Sequence, residues 1–323
     1  MDYPDKYLTS IEWTIPYSTL AILSIFFVIT TFMVAVLPVY GHTFSQNENS
    51  LFLTRVNQMH SQLQSVQSLL STNTSSGNTN ANDNTKSAQT HVMYALALLN
   101  QKDHVSNFTW NQEIAERNQR VATDLVRGLN DLNAFINQGA SSKSSSKVGL
   151  INESSSIQDK ISNLGGLLDE AVSARVAKDV LNNSTNQALV LANMGNEIFY
   201  SYGQALGFPY AKLVNMIATM NMSATGAANN KMTHTMSNTM NIVNESDYQD
   251  AKAYVKQAQD IVSKYLRSSD STNKITSSDI QSQLNRILSQ LETTINSKGS
   301  FSTVMNLIHL QLHPKLISNY KIS

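Results

Sequence analysis

The residues best suited to chemistry in this sequence are clustered. Met216, Met220, Met222, Met232, His234, Met236 and Met240 fall in one stretch, residues 216–240, which holds six of the chain's 12 methionines. Thioether sulfur is a soft donor that selects Cu(I), and imidazole binds copper in either oxidation state. Met232, Met236 and Met240 stand at i, i+4 and i+8, a spacing that stacks them on one face of a helix. A structural reading competes. Methionine fills irregular apolar gaps, and Met216 and Met220 share a helical face with Leu213 as core residues would. That reading fits Lys231–Asn241 less well, because the methionines there sit among Thr, Ser and Asn, with no aliphatic companion before Ile242.

A second set is Met305, His309 and His313, again at i, i+4 and i+8. Two histidines four apart on a helix can share a metal, with Met305 as a soft third ligand. Val304, Leu307, Ile308, Leu310 and Leu312 make the same helix apolar nearly all round, so buried, hydrogen-bonded histidines are the plainer expectation. His91 shares an apolar face with Ala88, Ala95 and Leu98 and reads as a core histidine. His60 lies beside the seam of its helix and could approach His91 if the first two helices pack antiparallel.

Signatures of catalysis are missing. The chain has no His-Glu-x-x-His, Gly-x-Ser-x-Gly, phosphate-cradling glycine loop or Gly-x-Gly-x-x-Gly, and no paired Glu-x-x-His for a carboxylate di-iron bundle. Zero cysteines exclude disulfides, thiolate zinc sites and cysteine nucleophiles. With 23 basic and 23 acidic residues the net charge is zero, so no electrostatic footprint for nucleic acid exists. The expectation is a non-enzymatic protein with no catalytic residues.

The elements that carry these residues read as helices. Phe52, Val56, Met59, Leu63, Val66 and Leu70 follow a 4-3-4-3-4 spacing on one face, after a capping-box pattern at Ser45–Glu48. Ala88–Leu98 marks a second helix. Thr109 with Gln112 caps a third that runs through Ile114, Val121, Leu125, Leu132 and Ile136. A fourth carries Ile157–Leu168, with Gly165-Gly166 weakening its middle. A fifth spans about Ala177–Leu206, until Gly207-Phe208-Pro209 interrupts it. Later helices start at a second capping pattern, Ser246–Gln249, at Ile280–Ile295, and at Phe301–Leu312, ending before Pro314. No alternating run suggests strands. The expected fold class is all-α, an N-terminal transmembrane or signal helix followed by an antiparallel multi-helix bundle.

That N-terminal helix is the uncharged run Leu20–Leu37, bounded by Pro16 and Pro38, with Trp13, Tyr17 and Tyr40 at its margins as an interfacial aromatic belt. Two readings stay open: an uncleaved anchor over residues 17–40, or a secretory signal cleaved after Gly41. The run is longer than a usual signal core and its leader is acidic, whereas Val39 and Gly41 suit a cleavage site. Either way, about 280 polar residues are expected on the extracytoplasmic side, tethered or secreted. Cleavage would leave His42 as an N-terminal residue able to offer amine and imidazole to one copper ion. Sequons at Asn73, Asn107, Asn152, Asn182, Asn183, Asn221 and Asn244 permit N-glycosylation, at a number this Asn- and Ser/Thr-rich composition yields by chance.

Met220-Asn221-Met222 and Met232-Thr233-His234-Thr235-Met236 resemble the methionine clusters of extracytoplasmic copper carriers. Tyr40-Gly41-His42-Thr43 after an export segment, with Asn/Ser/Thr-rich helices and no cysteine, is similar to exported helical proteins of ammonia-oxidising archaea. That resemblance implies life outside the cytoplasmic membrane in a copper-dependent physiology. The organisation expected is a leader (1–16), the apolar segment (17–40), a first bundle part (42–138), a flexible linker (139–147), a second part (148–209), a Met/Asn-rich segment (210–245) and C-terminal helices (246–323). The expected function is binding: Cu(I), or an envelope or membrane-complex protein partner. A structural envelope component without a metal role is the alternative.

Overall fold

Asn47 opens the first helix through a reciprocal cap. Its Oδ1 accepts from the Ser50 N–H (2.8 Å), and its own N–H donates to Ser50 Oγ (3.2 Å). The helix α1, Glu48–Ser75, therefore starts from Asn47 and not from Ser45. Its 4-3-4-3-4 face buries Phe52, Val56, Met59, Leu63 and Val66 almost completely. The structure, a computed structural model, describes residues 44, 47–75, 81–102, 108–141, 147–219, 240–266 and 274–322. The apolar segment 17–40, the Gly41–His42 bond, and Met220, Met222, Met232, His234 and Met236 lie outside these residues. Among the described residues no helix is long and apolar enough to cross a membrane.

Among the described residues the fold is all-helical, with no strand. After α1 come α2 (Ala81–Asn100), α3 (Trp110–Arg117) and α4 (Gln119–Ser141). The Thr109–Gln112 capping box is formed, but the single helix expected from it is two. Asn118 adopts an extended conformation (φ −153°, ψ 90°), and its Oδ1 accepts from the Val121 N–H (3.2 Å), restarting the helix. A short amide side chain that bonds nearby backbone competes with the helical ladder, and here it wins.

The next helix, α5 (Lys147–Arg175), runs unbroken through Gly165-Gly166. Then follow α6 (Lys178–Leu181) and α7 (Ser184–Ala205). Asn183 caps α7 by accepting from the N–H groups of Thr185 and Asn186, so the fifth helix begins later than Ala177. Its residues Gln187 to Gly195 are all buried, which makes α7 a central element. The remaining helices are α8 (Tyr210–Thr219), α9 (Glu245–Tyr265), α10 (Lys274–Asn296), α11 (Phe301–Met305) and α12 (His313–Tyr320). Asn244 caps α9, two residues before the expected Ser246.

Pro314 does not end the C-terminal helix. Residues Asn306–Leu312 form a π-helical segment, and the His313 N–H bonds to Ile308 O, five residues back. Pro314 then occupies the first turn of α12, where a missing N–H costs nothing. A proline continuing an α-helical register would clash with the carbonyl four residues earlier. The wider turn ahead of it removes that conflict.

Side-chain contacts set the helix directions. Asn47 meets Asn186 and Thr54 meets Asn193, so α1 and α7 run parallel. Gln62 meets Tyr254, Ser65 meets Asp250 and Ser68 meets Gln249, so α9 runs against α1. The Gln67–Gln158 and Arg175–Glu48 contacts set α5 against α1, and Gln89–Asn137 with Met93–Asn133 sets α2 against α4. Tyr248 with Ile295 and Val262 with Gln281 align α9 and α10 antiparallel. Gly299 with Tyr202, His313 with Ala192 and Tyr320 with Thr185 lay the C-terminal segment against α7. Helices from both sides of residues 139–147 share one hydrophobic core within a compact unit, His42–Ser323.

Candidate functional site

The C-terminal pair comes together as its spacing implies. The His309 and His313 ring centroids lie 4.9 Å apart, edge to face, and both rings are buried. Phe199 packs edge-on against His309 (5.0 Å) and Phe44 against His313 (5.3 Å). His313 Nε2 lies 3.1 Å from Ala192 O, over Gly195, where a Cβ would come within 3.0 Å of it. Met305 is half-buried against the same core. The arrangement is that of packed core histidines. Among the described residues, no group of three or more His, Cys, Asp or Glu side chains is placed to hold a metal ion.

His60 and His91 do not meet. At 3.6 residues per turn, positions 60 and 62 point about 200° apart around α1. Gln62 faces α2 and α9, whereas the His60 ring turns to α5, with Nε2 3.6 Å from Asp169 Oδ1. The His60 ring also lies beside Gly165, and the His60 hydrogen bond holds the Asp169 carboxyl below its ordinary value.

His91 instead belongs to a buried polar centre that the sequence reading did not assemble. Its Nδ1 faces two acceptors, Gln62 Oε1 (2.8 Å) and Asp250 Oδ1 (3.2 Å). The proton of the neutral ring is therefore assigned to Nδ1, and Nε2 accepts from Ser246 Oγ at 2.9 Å. Asp250 Oδ1 also accepts from Ser65 Oγ (2.8 Å) and Gln62 Nε2 (3.1 Å). Gln62 Nε2 reaches the Tyr254 hydroxyl at 3.1 Å as well. These contacts join α1, α2 and α9 through one carboxylate.

Two more carboxyls converge on it. Glu197 is the one charged residue of α7. Burial pushes its pKa up from 4.5 to about 7; a hydrogen bond from Gln58 opposes the rise and the Asp250 charge adds to it. Asp247 is pushed up from 3.8 to about 6 by burial and by Asp250, with His91 opposing. Around them, burial drives the hydroxyl pKa values of Tyr94 and Tyr254 upward, and the charges of Glu197 and Asp250 add to this. Tyr210 of α8 is pushed to about 12 by burial and by Glu197. The phenols stay protonated, which leaves Glu197 and Asp247 as the two acids of the cluster whose pKa values are raised. One cue was legible: a lone acid within a largely apolar helix. Its convergence with Asp250 was not.

The methionine segment is described only at its ends. Met216 is half-buried on α8, whose Leu213 packs over Gly203 of α7. Met240 is half-buried, and its N–H donates to Lys298 O (2.7 Å). The N–H groups of Val243 and Asn244 both bond to Ala205 O, at 2.9 and 3.2 Å. Residues 216 and 240 are thus fixed to one end of the bundle, where α7 and α10 finish and α9 begins.

Compared with protein-family models, curated proteins and solved structures, the chain matches none.

Proposed function

We propose that the chain is an extracytoplasmic helical-bundle protein, held at the membrane through residues 17–40, that works by binding. Its Met/His-rich segment, residues 216–240, is where it takes Cu(I). The observation that carries this reading is the anchoring of both ends of that segment on one end of the bundle. The chain passes into α1 at Glu48, beside the start of the parallel helix α7. Helix α7 has 22 residues, so at about 1.5 Å per residue roughly 33 Å separate the two ends. Met216 and Met240, the described ends of the segment, lie toward the other end of the bundle from Glu48.

Cu(I) suits this segment because Met232–Met240 supplies three thioethers and one imidazole and no carboxylate. The alternative, a structural envelope protein with no metal role, draws support from His91, His309 and His313, which are all committed to the core.

Copper analysis of the full-length chain under reducing conditions tests the reading. The expected result is about one tightly held Cu(I) per chain, lost on combined Met232→Leu, Met236→Leu and Met240→Leu substitution. Substoichiometric copper, unchanged by those substitutions, overturns it. Intact mass tests the tether separately: a chain beginning at His42 excludes the anchor.

A further inference from the structure

We propose that Ser246, His91 and Asp250 form a nucleophilic triad that gives this chain an acyl-transfer activity on esters of short, uncharged acyl groups. The three side chains stand in series. Ser246 Oγ lies 2.9 Å from His91 Nε2, and His91 Nδ1 lies 3.2 Å from Asp250 Oδ1. These are the separations of a nucleophile from its base and of that base from an orienting carboxylate. Ser246 and Asp250 stand at i and i+4 on α9, and His91 comes from α2. No spacing along the chain relates the hydroxyl to the ring, so motif patterns pass over the pair.

The surroundings prepare each group for this role. Asn244 caps α9 by accepting from the Ser246 and Asp247 N–H groups, so the Ser246 hydroxyl has no capping duty. That hydroxyl donates to Nε2, because Nδ1–H is directed at Gln62 Oε1 (2.8 Å) and Asp250. Ser65 Oγ and Gln62 Nε2 both donate to Asp250 Oδ1, which holds the carboxylate in place. His91 is 2% exposed among these partners, whereas Ser246 is half-buried and follows two exposed residues, Asn244 and Glu245. The base is shielded from water, and the nucleophile is partly open to it.

Attack by Ser246 Oγ on an ester carbonyl forms a C–O bond as the hydroxyl proton passes to His91 Nε2. Asp250 offsets the imidazolium charge that results. Ser246 belongs to the first turn of α9, a 21-residue helix whose N-terminal end carries partial positive charge, and the carbonyl oxygen turns anionic beside it. Breaking the bond to the alcohol releases that alcohol with the proton from Nε2. Water then gives a proton to the same nitrogen and cleaves the acyl-serine, which yields a carboxylic acid and restores the hydroxyl. Glu245 and Asp247 flank Ser246, and their charge disfavours an anionic acyl group. This activity adds to the binding reading and does not rest on it.

Diisopropyl fluorophosphate on the folded full-length chain provides the test. Attack by the serine on phosphorus expels fluoride, and the proton leaves through His91. The expected result is about one adduct per chain, mapped by peptide mass to Ser246 and absent from the urea-unfolded chain. His91→Gln, checked for folding by circular dichroism, should slow labelling by about 100-fold or more. Asp250→Asn should slow it at an unchanged half-saturating reagent concentration, as a positioning residue would. No adduct, an adduct elsewhere, or an equal rate in folded His91→Gln overturns the proposal. Ser246→Cys tests it with the ring left intact, because the chain has no other cysteine. A free thiol ionises near about 8.5, and the neighbouring acids Glu245, Asp247 and Asp250 act to raise that value. Pairing with His91 should instead lower the midpoint of iodoacetamide alkylation by about one unit or more, and adding His91→Gln should remove the shift. A smaller shift, or one that survives His91→Gln, also overturns the triad.

Discussion

Replacing Glu197 by Gln should stabilise the protein at alkaline pH and change it little at acid pH. The side chains are nearly the same shape, so the substitution removes the ionisable proton and little else. Folding raises the glutamate's pKa from 4.5 to about 7, so the folded state binds the proton more tightly than the unfolded state. Stability from this group is complete below about pH 4.5 and is lost as pH rises toward 7. At about 1.36 kcal/mol per unit, the loss approaches 3 kcal/mol at pH 8 and is about 1 kcal/mol at pH 5. These are upper limits, because Glu197 keeps a partly exposed edge. Urea unfolding of both proteins at the two pH values reads the difference directly, with equal m-values as the check that one transition is compared. The variant should exceed the parent by up to about 3 kcal/mol at pH 8 and by much less at pH 5. Asp247, shifted the same way, remains in both and contributes a shared slope below pH 6. Parallel stability curves across this range would refute the argument.

Two glycines should respond with opposite signs. A Cβ at Gly203 would lie 2.6 Å from Leu213 Cδ2 and 3.1 Å from Phe301 Cε2, so Gly203→Ala should cost about 1–3 kcal/mol before a propensity gain of about 1. At Gly166 nothing lies within 4 Å, so Gly166→Ala should raise the melting temperature through that gain alone. Asn244→Ala should cost about 1 kcal/mol as a lost N-cap, and Asn244→Gly only a few tenths. Equal losses for the two Asn244 variants in thermal melts would show that Asn244 does not act as the cap.

Much of the helical layout was legible because it is local. The six-residue stripe of α1, the Thr109–Gln112 cap and the burial of His91 each depend on residues within a few turns. The errors came where two local signals compete. Asn118 could continue a helix or cap a new one, and its extended backbone decides for the cap. Ser246 has capping spacing, yet Asn244 takes the role and leaves the Ser246 hydroxyl for His91. Pro314 reads as a stop, but a π turn before it lets the chain continue as a helix.

The sequence by itself determined that the protein is helical, that His309 and His313 share one helical face, and that the methionines concentrate in one segment. Periodicity encodes which side of each helix is apolar, and that information lies within the helix. Only the tertiary structure decided which polar residues meet. Glu197, Asp250 and His91 sit on three helices, and no spacing along the chain relates them. Their meeting depends on α1 and α7 running parallel and α9 running against α1. The same packing turned His60 toward Asp169, because residues two apart on a helix face nearly opposite ways.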